Sequence, residues 1–161
     1  MSKKTVLQHS ISLLHINSIN HFQNRIEQEI EISRFRGNIC VDGIKAWEEF
    51  NWLGKIISIG DVKFEIFRKT KRCAATNVNP KTGLRDLNIP NQLKKIYGHY
   101  DLGVYGRVLN KGTIRINDEV VVERAGDVIP HIISVNSSKR EKNSKKFSIV
   151  IPPPNVTGSL H

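Results

Sequence analysis

Apolar and polar residues fall along this chain in short blocks, and the period of the blocks changes several times. Ser10 to Ile16 is apolar and β-compatible, the pattern of a buried strand. Beyond it Ile19, Phe22, Ile26 and Ile30 recur at helical spacing, with Asn17 or Ser18 placed to cap the helix. From Arg34 onward the period is that of strands. Asn38 to Val41 predicts a short strand closed by Asp42-Gly43. Lys55 to Ile59 predicts another, which Gly60-Asp61 turns into Val62 to Arg68. In that second arm Val62, Phe64 and Ile66 alternate with Lys63, Glu65 and Phe67, as in a half-buried edge strand.

Asn79-Pro80-Lys81-Thr82-Gly83 is a turn with a mechanism, since proline fixes φ and glycine supplies a positive φ. Pro90 suits the first turn of a short helix that runs through Tyr97. Gly103 to Leu109 predicts a strand, Asn110-Lys111-Gly112 a hairpin loop, and Thr113 to Ile116 and Glu119 to Glu123 further strands. Many short strands with two short helices predict a mainly β fold, a closed or nearly closed β-barrel. The polar tract Ser137 to Lys146 and the run Pro152-Pro153-Pro154 break this pattern, so 137–161 is expected to be a poorly ordered tail.

Composition narrows the function classes. At 161 residues the chain has room for one domain with a real core. No apolar run approaches bilayer length and the N-terminus lacks the apolar core of a signal peptide, so the expected address is the cytoplasm, with no membrane partner. Two cysteines, Cys40 and Cys73, without CxxC spacing argue against a disulfide framework or a structural zinc site. The net charge of +10 admits a basic, OB-like nucleic-acid-binding module. Much of that excess lies in the lysine-rich tract, which reads better as a solvated linker, and the few aromatics sit in core-like positions. Nucleic acid is therefore the weaker reading.

The candidate chemistry gathers at Cys73. It ends a strand-like run, between Lys71-Arg72 and Thr76-Asn77, just ahead of the strong turn. Thiolate is the reactive and metal-binding form of cysteine, and nearby cations favour it. Arg34 and Arg36 lie two apart, so on a strand they share a face and offer forked donors for a phosphate. A soft ligand beside anion-binding groups suggests a metal–phosphate cofactor. Against this stand a buried packing role for Cys73 and surface ion pairing of the arginines with Asp42, Glu48 or Glu49. Cys40 reads as buried, Trp47 and Trp52 as core or rim packing. The histidines form no metal pair, and His99, near the proposed site, reads as structural.

Arg34-Phe35-Arg36-Gly37-Asn38-Ile39, Trp47-Glu48-Glu49, Ile59-Gly60-Asp61-Val62, Arg72-Cys73, Thr76 to Gly83 and Gly103-Val104-Tyr105 occur in the order seen in MOSC domains. From about Ser10 to Val122 the chain resembles this family, the C-terminal domains of molybdenum cofactor sulfurases (pyridoxal phosphate-linked enzymes), found also in amidoxime-reducing proteins. The resemblance implies a β-barrel that binds the molybdenum cofactor (molybdopterin) or carries sulfur, related to molybdenum-dependent oxidoreductases. It implies Cys73 as the catalytic residue and molybdenum ligand, or as a persulfide carrier. It places Arg36 and Asn38 on the pterin phosphate or ring, with Arg34, Arg72 and Tyr105 in the same site and Thr76 and Asn77 shaping the loop under the metal. An electron-transfer or sulfur-donor protein would be the partner. Members of the bacterial type usually carry a smaller N-terminal β-domain, and this chain is expected to start inside the MOSC domain.

Two C-terminal stretches resemble other families. Val120 to Pro130 is similar to the OB-fold segment of NAD-dependent DNA ligases, and Phe147 to His161 to the start of the catalytic domain of valyl-tRNA synthetases. The expected organisation is an N-terminal extension at 1–9, a partial barrel domain at 10–123, a ligase-like strand segment at 124–136 and the tail at 137–161. A non-functional fusion of gene fragments is the rival account.

Overall fold

The structure is a computed structural model that describes residues 10–123 and the backbone of Ser148–Val150. Its elements in chain order begin with strand β1 (Ser10–His15), helix α1 (Ile16–Ile26), a 3-10 turn (Ile32–Phe35) and strand β2 (Ile39–Asp42). A second 3-10 turn (Glu48–Trp52) leads into β3 (Ile56–Ile59) and the long β4 (Val62–Lys71). A third (Ala74–Asn77), helix α2 (Ile89–Tyr97), β5 (Asp101–Val108), β6 (Val120–Val122) and β7 (Ser148–Val150) complete them. The strands join one sheet in the order β6-β3-β4-β5-β1-β2-β7. Every pairing is antiparallel except β1 with β2, whose parallel register needs the crossover that α1 supplies.

Strand alternation makes this sheet a barrel. Leu13, Val41, Ile57, Ile59, Phe64, Val104 and Val120, drawn from β1 to β6, meet in one buried cluster. β6 and β2 lie far apart in the ladder yet feed the same core, so the sheet curls round it and nearly closes. Each such side chain, taken out of water, stabilises the fold by roughly 1.5–3 kcal/mol. A second cluster lies on the outer face: Leu14, Phe22, Phe35, Cys40, Leu93 and Leu102 pack α1 and α2 against the wall. Leu13 and Leu14 show the division, since neighbouring residues on a strand point to opposite faces.

Gly103 is where β5 breaks that parity. Leu102 belongs to the outer cluster and Val104 to the inner one, two residues apart. Gly103 has φ 81°, and the register with β4 shifts between Lys69 and Lys71. A Cβ at this position would stand 2.6 Å from the Leu13 carbonyl oxygen, so only glycine fits.

The mainly β barrel with two helices is the architecture the pattern predicts, but several local expectations need correction. β4 is an interior strand flanked by β3 and β5; its alternation separates barrel inside from outside rather than marking an edge. α1 begins at Ile16 with His15 at its N-cap and no side-chain cap. Asn17 instead donates to the Ile44 carbonyl and Ser18 to Glu49, and Ile30 lies beyond the helix end. Arg34 and Arg36 occupy a 3-10 turn and its left-handed C-cap, not a strand, so they do not share a face. Thr113 to Ile116 is loop, and β6 pairs with β3, so Asn110-Lys111-Gly112 closes no hairpin. The cause is local: Asn110 accepts from the Lys63 amide and donates to the Asp61 carbonyl, and Asp61 N–H bonds Thr113 O, which straps the loop across the β3–β4 turn.

Of the expected tail, Ser148–Val150 pairs antiparallel with β2 at Cys40–Asp42, and the remainder of 137–161 lies outside the described residues. So do the extension at 1–9, the segment 124–136 and nearly all of the synthetase-like stretch.

Candidate functional site

β4 ends at Lys71, and Cys73 follows two residues on. Extended itself (φ −122°, ψ 177°), Cys73 is the N-cap of the 3-10 turn Ala74–Asn77. Its side chain is exposed and in no disulfide. Its carbonyl oxygen accepts twice from Thr76, from the amide at 3.1 Å and from Oγ1 at 2.8 Å. Thr76 is buried, so this bond ties the exposed thiol to the body of the domain.

Arg72 does the same from the other side. Its side chain is buried and points inward, donating to the Leu102 carbonyl from Nε (2.8 Å) and Nη2 (2.5 Å), and to the Phe35 carbonyl from Nη1 (2.9 Å). The guanidinium also lies 5.2 Å from the centre of the Phe35 ring. Burial pushes its pKa down to about 10, against the opposing influence of Tyr105 and Cys73, so the group is a cation at neutral pH. Arg72 thus joins β5 to the turn that carries Arg36.

Arg34 is also internal. Its Nη1 donates to the Asn77 carbonyl at 3.1 Å and, at a longer 3.4 Å, to that of Thr76, while Nη2 pairs with Asp86 Oδ1 at 2.7 Å. The Asn77 side chain accepts from the Ile89 amide at 2.8 Å and so fixes the first turn of α2. Asn88 caps that helix through the Asn91 amide. The turn after Cys73 has the proline–glycine form expected: Gly83 has φ 72° and donates to the Asn79 carbonyl, and Asn79 Oδ1 accepts from Lys81.

Arg36 and Asn38 differ from these. Arg36 is exposed, with a left-handed backbone (φ 49°), and its side chain makes no ion pair among the described residues. Asn38 is exposed, and its Oδ1 accepts from the Ser12 amide at 2.8 Å. Ser12 stands opposite Tyr105 in the β1–β5 register, so Asn38 and Tyr105 border the same strand position. The Tyr105 ring packs on the outer wall with Phe67, and the Arg68 guanidinium sits 4.9 Å from its centre. Of the residues singled out by sequence, Arg34, Arg72, Thr76 and Asn77 build the frame of the thiol. Cys73, Arg36 and Asn38 are exposed, and Tyr105 is half-buried.

A second polar cluster was not visible in the sequence. Ser18 Oγ sits between Glu49 Oε2 (2.8 Å) and His15 Nδ1 (3.1 Å), and accepts from the Trp47 amide at 2.7 Å. His15 and Glu49 are both fully buried. Their 3.6 Å approach has the distance of an ion pair. Burial argues otherwise, pushing the Glu49 carboxyl up to about 7 and the His15 imidazole down to about 4. The pair is therefore a neutral hydrogen-bonded chain through Ser18 in mildly acidic conditions. His15 Nε2 and Glu49 Oε1 have no hydrogen-bond partner among the described residues. An open depression of about 350 Å³, lined by Lys45, Ala46, Trp47, Glu48 and Asn51, lies over this cluster's loop rather than at Cys73.

No described helix is long and apolar enough to cross a membrane. Among the described residues no group of three or more His, Cys, Asp or Glu side chains is placed to hold a metal ion.

Comparison with known proteins places these features. The family model described as MOSC domain matches residues 4–121. Mitochondrial amidoxime-reducing component 1 of Mus musculus is 30% identical over 115 residues, which are 64% of this chain and 33% of that protein. The chain therefore spans about a third of the length of such relatives. The crystal structure of YiiM from Geobacillus stearothermophilus superposes with a TM-score of 0.55 at 22% identity, covering 73% of this chain and 56% of that one, a likeness of fold. Over 34 residues, 21% of this chain, it is 68% identical to the DNA ligase of Pelagibacter ubique (strain HTCC1062), covering 5% of that protein.

Proposed function

The chain belongs to the MOSC domain family, and on that footing we propose that it binds the molybdenum cofactor with Cys73 as the protein's ligand to the metal. The observation that carries this reading is an exposed thiol on a turn bonded down through Thr76 and Asn77. The donor set fits. A soft thiolate suits a soft metal, and a single thiolate cannot hold a bare ion. The metal must then arrive with most of its ligands already attached, as it does on a pterin.

Arg36 is the exposed guanidinium suited to the pterin's phosphate, with a fork that matches it in two hydrogen bonds. Asn38, whose Oδ1 is committed to Ser12, keeps Nδ2 to donate beside it. Tyr105 closes the wall on that side. The bound cofactor would supply two-electron redox chemistry at the metal. The chain's own part is narrower: it presents one sulfur at a fixed place, neutralises the phosphate and holds the pocket wall rigid. Amidoxime reduction, named for the mitochondrial relatives, is the activity class this reading favours, with an electron-transfer protein as partner. Sulfur carriage on the same thiol is the second reading, favoured by the exposure of Cys73 at a chain turn.

Co-production with a cofactor source, followed by metal analysis of the purified protein, separates these. Molybdenum near one equivalent in the wild type and absent from Cys73→Ala supports cofactor binding. A mass gain of one sulfur atom on Cys73, removed by reductant and without molybdenum, favours sulfur carriage. Equal molybdenum in both proteins would defeat the proposal.

A further inference from the structure

We propose that Arg34 is a positioning residue for the Cys73 turn and not a ligand of the cofactor's anion. This deepens the reading of Cys73 as the working thiol and rests on it. The resemblance to the family puts Arg34 and Arg36 together in the binding site. The structure separates them, because the backbone between them is a 3-10 turn ending in a left-handed residue. Arg36 faces solvent, and Arg34 is 4% exposed.

The bonds of Arg34 show what it holds. One nitrogen, Nη1, reaches the carbonyls of Thr76 and Asn77, the last two residues of the turn that Cys73 caps. The other, Nη2, reaches Asp86 beyond the Pro80–Gly83 turn. Asp86 in turn accepts from Asn79 Nδ2, and its carboxyl is kept below the usual range first by that bond and then by Arg34. A single planar group thus spans both ends of the segment 76–86. The C-terminal carbonyls of a short 3-10 turn have no partner within the turn, and a buried one left unbonded is costly. Arg34 satisfies them from the far side of the chain. Only Nε is left without a partner, and it too is buried. A guanidinium so enclosed has no face to offer a phosphate. Lysine would keep the charge but lacks the fork that serves two carbonyls and a carboxylate at once.

The test is amide hydrogen exchange on the whole chain, read at residues 74–78 against the β4–β5 ladder, in wild type, Arg34→Lys, Asp86→Asn and Arg36→Ala. Arg34→Lys is expected to speed exchange at 74–78 by about tenfold or more while the ladder changes by less than about twofold. Alkylation of Cys73, with buried Cys40 silent, should change by about threefold in the same variant. Asp86→Asn should produce the same local pattern at smaller size, and Arg36→Ala none. A general loss of protection across β4 and β5, or no change at 74–78, would overturn the proposal. Should Arg34→Lys fail to fold, Asp86→Asn decides alone, since its side chain is 40% exposed: local acceleration supports the proposal and its absence defeats it. Cofactor loading is scored separately. A turn that loosens as expected in a protein that never takes up molybdenum would sink the cofactor reading and leave the positioning role standing.

Discussion

The Cys73 turn and the His15–Ser18–Glu49 chain sit on the same barrel, and they differ in what each leaves unbonded. At the turn, the buried atoms are nearly all satisfied: three donors of Arg72, Thr76 Oγ1 and both terminal nitrogens of Arg34 are spent on carbonyls and a carboxylate. Arg34 Nε apart, what remains unbonded there among the described residues is on the surface, at the thiol and at Arg36. In the buried chain it is the reverse. His15 Nε2 and Glu49 Oε1 are enclosed and without partners among the described residues, and His15, Ser18 and Glu49 are all buried. A frame satisfied inside and open outside is suited to hold a ligand. A network closed to solvent with spare protons and lone pairs inside is suited to shift protons, not to meet a substrate.

The largest expected effects come from breaking the frame. Arg72→Met leaves the Leu102 and Phe35 carbonyls buried without donors, and should destabilise the domain by about 3–5 kcal/mol in chemical denaturation. Gly103→Ala meets both a positive φ and the Leu13 carbonyl, and a cost of about 3 kcal/mol is expected from the same measurement. Neither change removes the exposed thiol itself. A milder perturbation is Asn77→Ala, which removes the acceptor for the first amide of α2 and should cost about 1 kcal/mol. If Arg72→Met were as stable as wild type, the contrast between a bonded frame and an open surface would collapse.

The buried chain should respond to pH instead. The carboxyl of Glu49, ordinarily near 4.5, is raised to about 7, so its contribution is present below 4.5 and lost as pH rises through 7. The imidazole of His15, ordinarily near 6.5, is lowered to about 4, so its contribution is present above 6.5 and lost as pH falls through 4. Asp42 and Glu48 act on His15, and Glu48 on Glu49, each more weakly than burial. Between these limits the two slopes oppose and nearly cancel, so their joint effect in the wild type is flat. Glu49→Gln removes one of them. The variant should lose stability steadily as pH falls from 6.5 toward 4, and should gain on wild type as pH rises from 4.5 to 7, with no further gain above that. Denaturation midpoints across that range check it; parallel profiles for the two proteins would mean that Glu49 does not hold a raised pKa.

Much of this was legible in the sequence, and the reasons differ by element. Val62, Phe64 and Ile66 announce a strand with one apolar face, since the side-chain period of two survives whatever the strand pairs with. Whether that strand is an edge depends on its neighbours, and β5 joins it from some forty residues on, which no local pattern records. The Pro80–Gly83 turn was readable because both residues act through their own φ. Arg34 and Arg36 misled because a two-residue spacing means one face only on a strand, and the chain there makes a 3-10 turn. Cys73 stood out by its neighbours, but the partners that fix it are largely backbone carbonyls, at Leu102, Phe35, Thr76 and Asn77. A carbonyl carries no residue type to read. The His15–Ser18–Glu49 chain escaped for a similar reason, its members being 3 and 31 residues apart on elements that meet only in the fold.

In the proposed cofactor complex the Cys73 thiolate coordinates the molybdenum through its Sγ. X-ray absorption at the molybdenum edge, on protein purified with a cofactor source, tests this most directly, with Cys73→Ser as comparison. The metal's coordination shell should hold one more sulfur in the wild type than in the variant. Identical spectra from loaded samples of both proteins would contradict it.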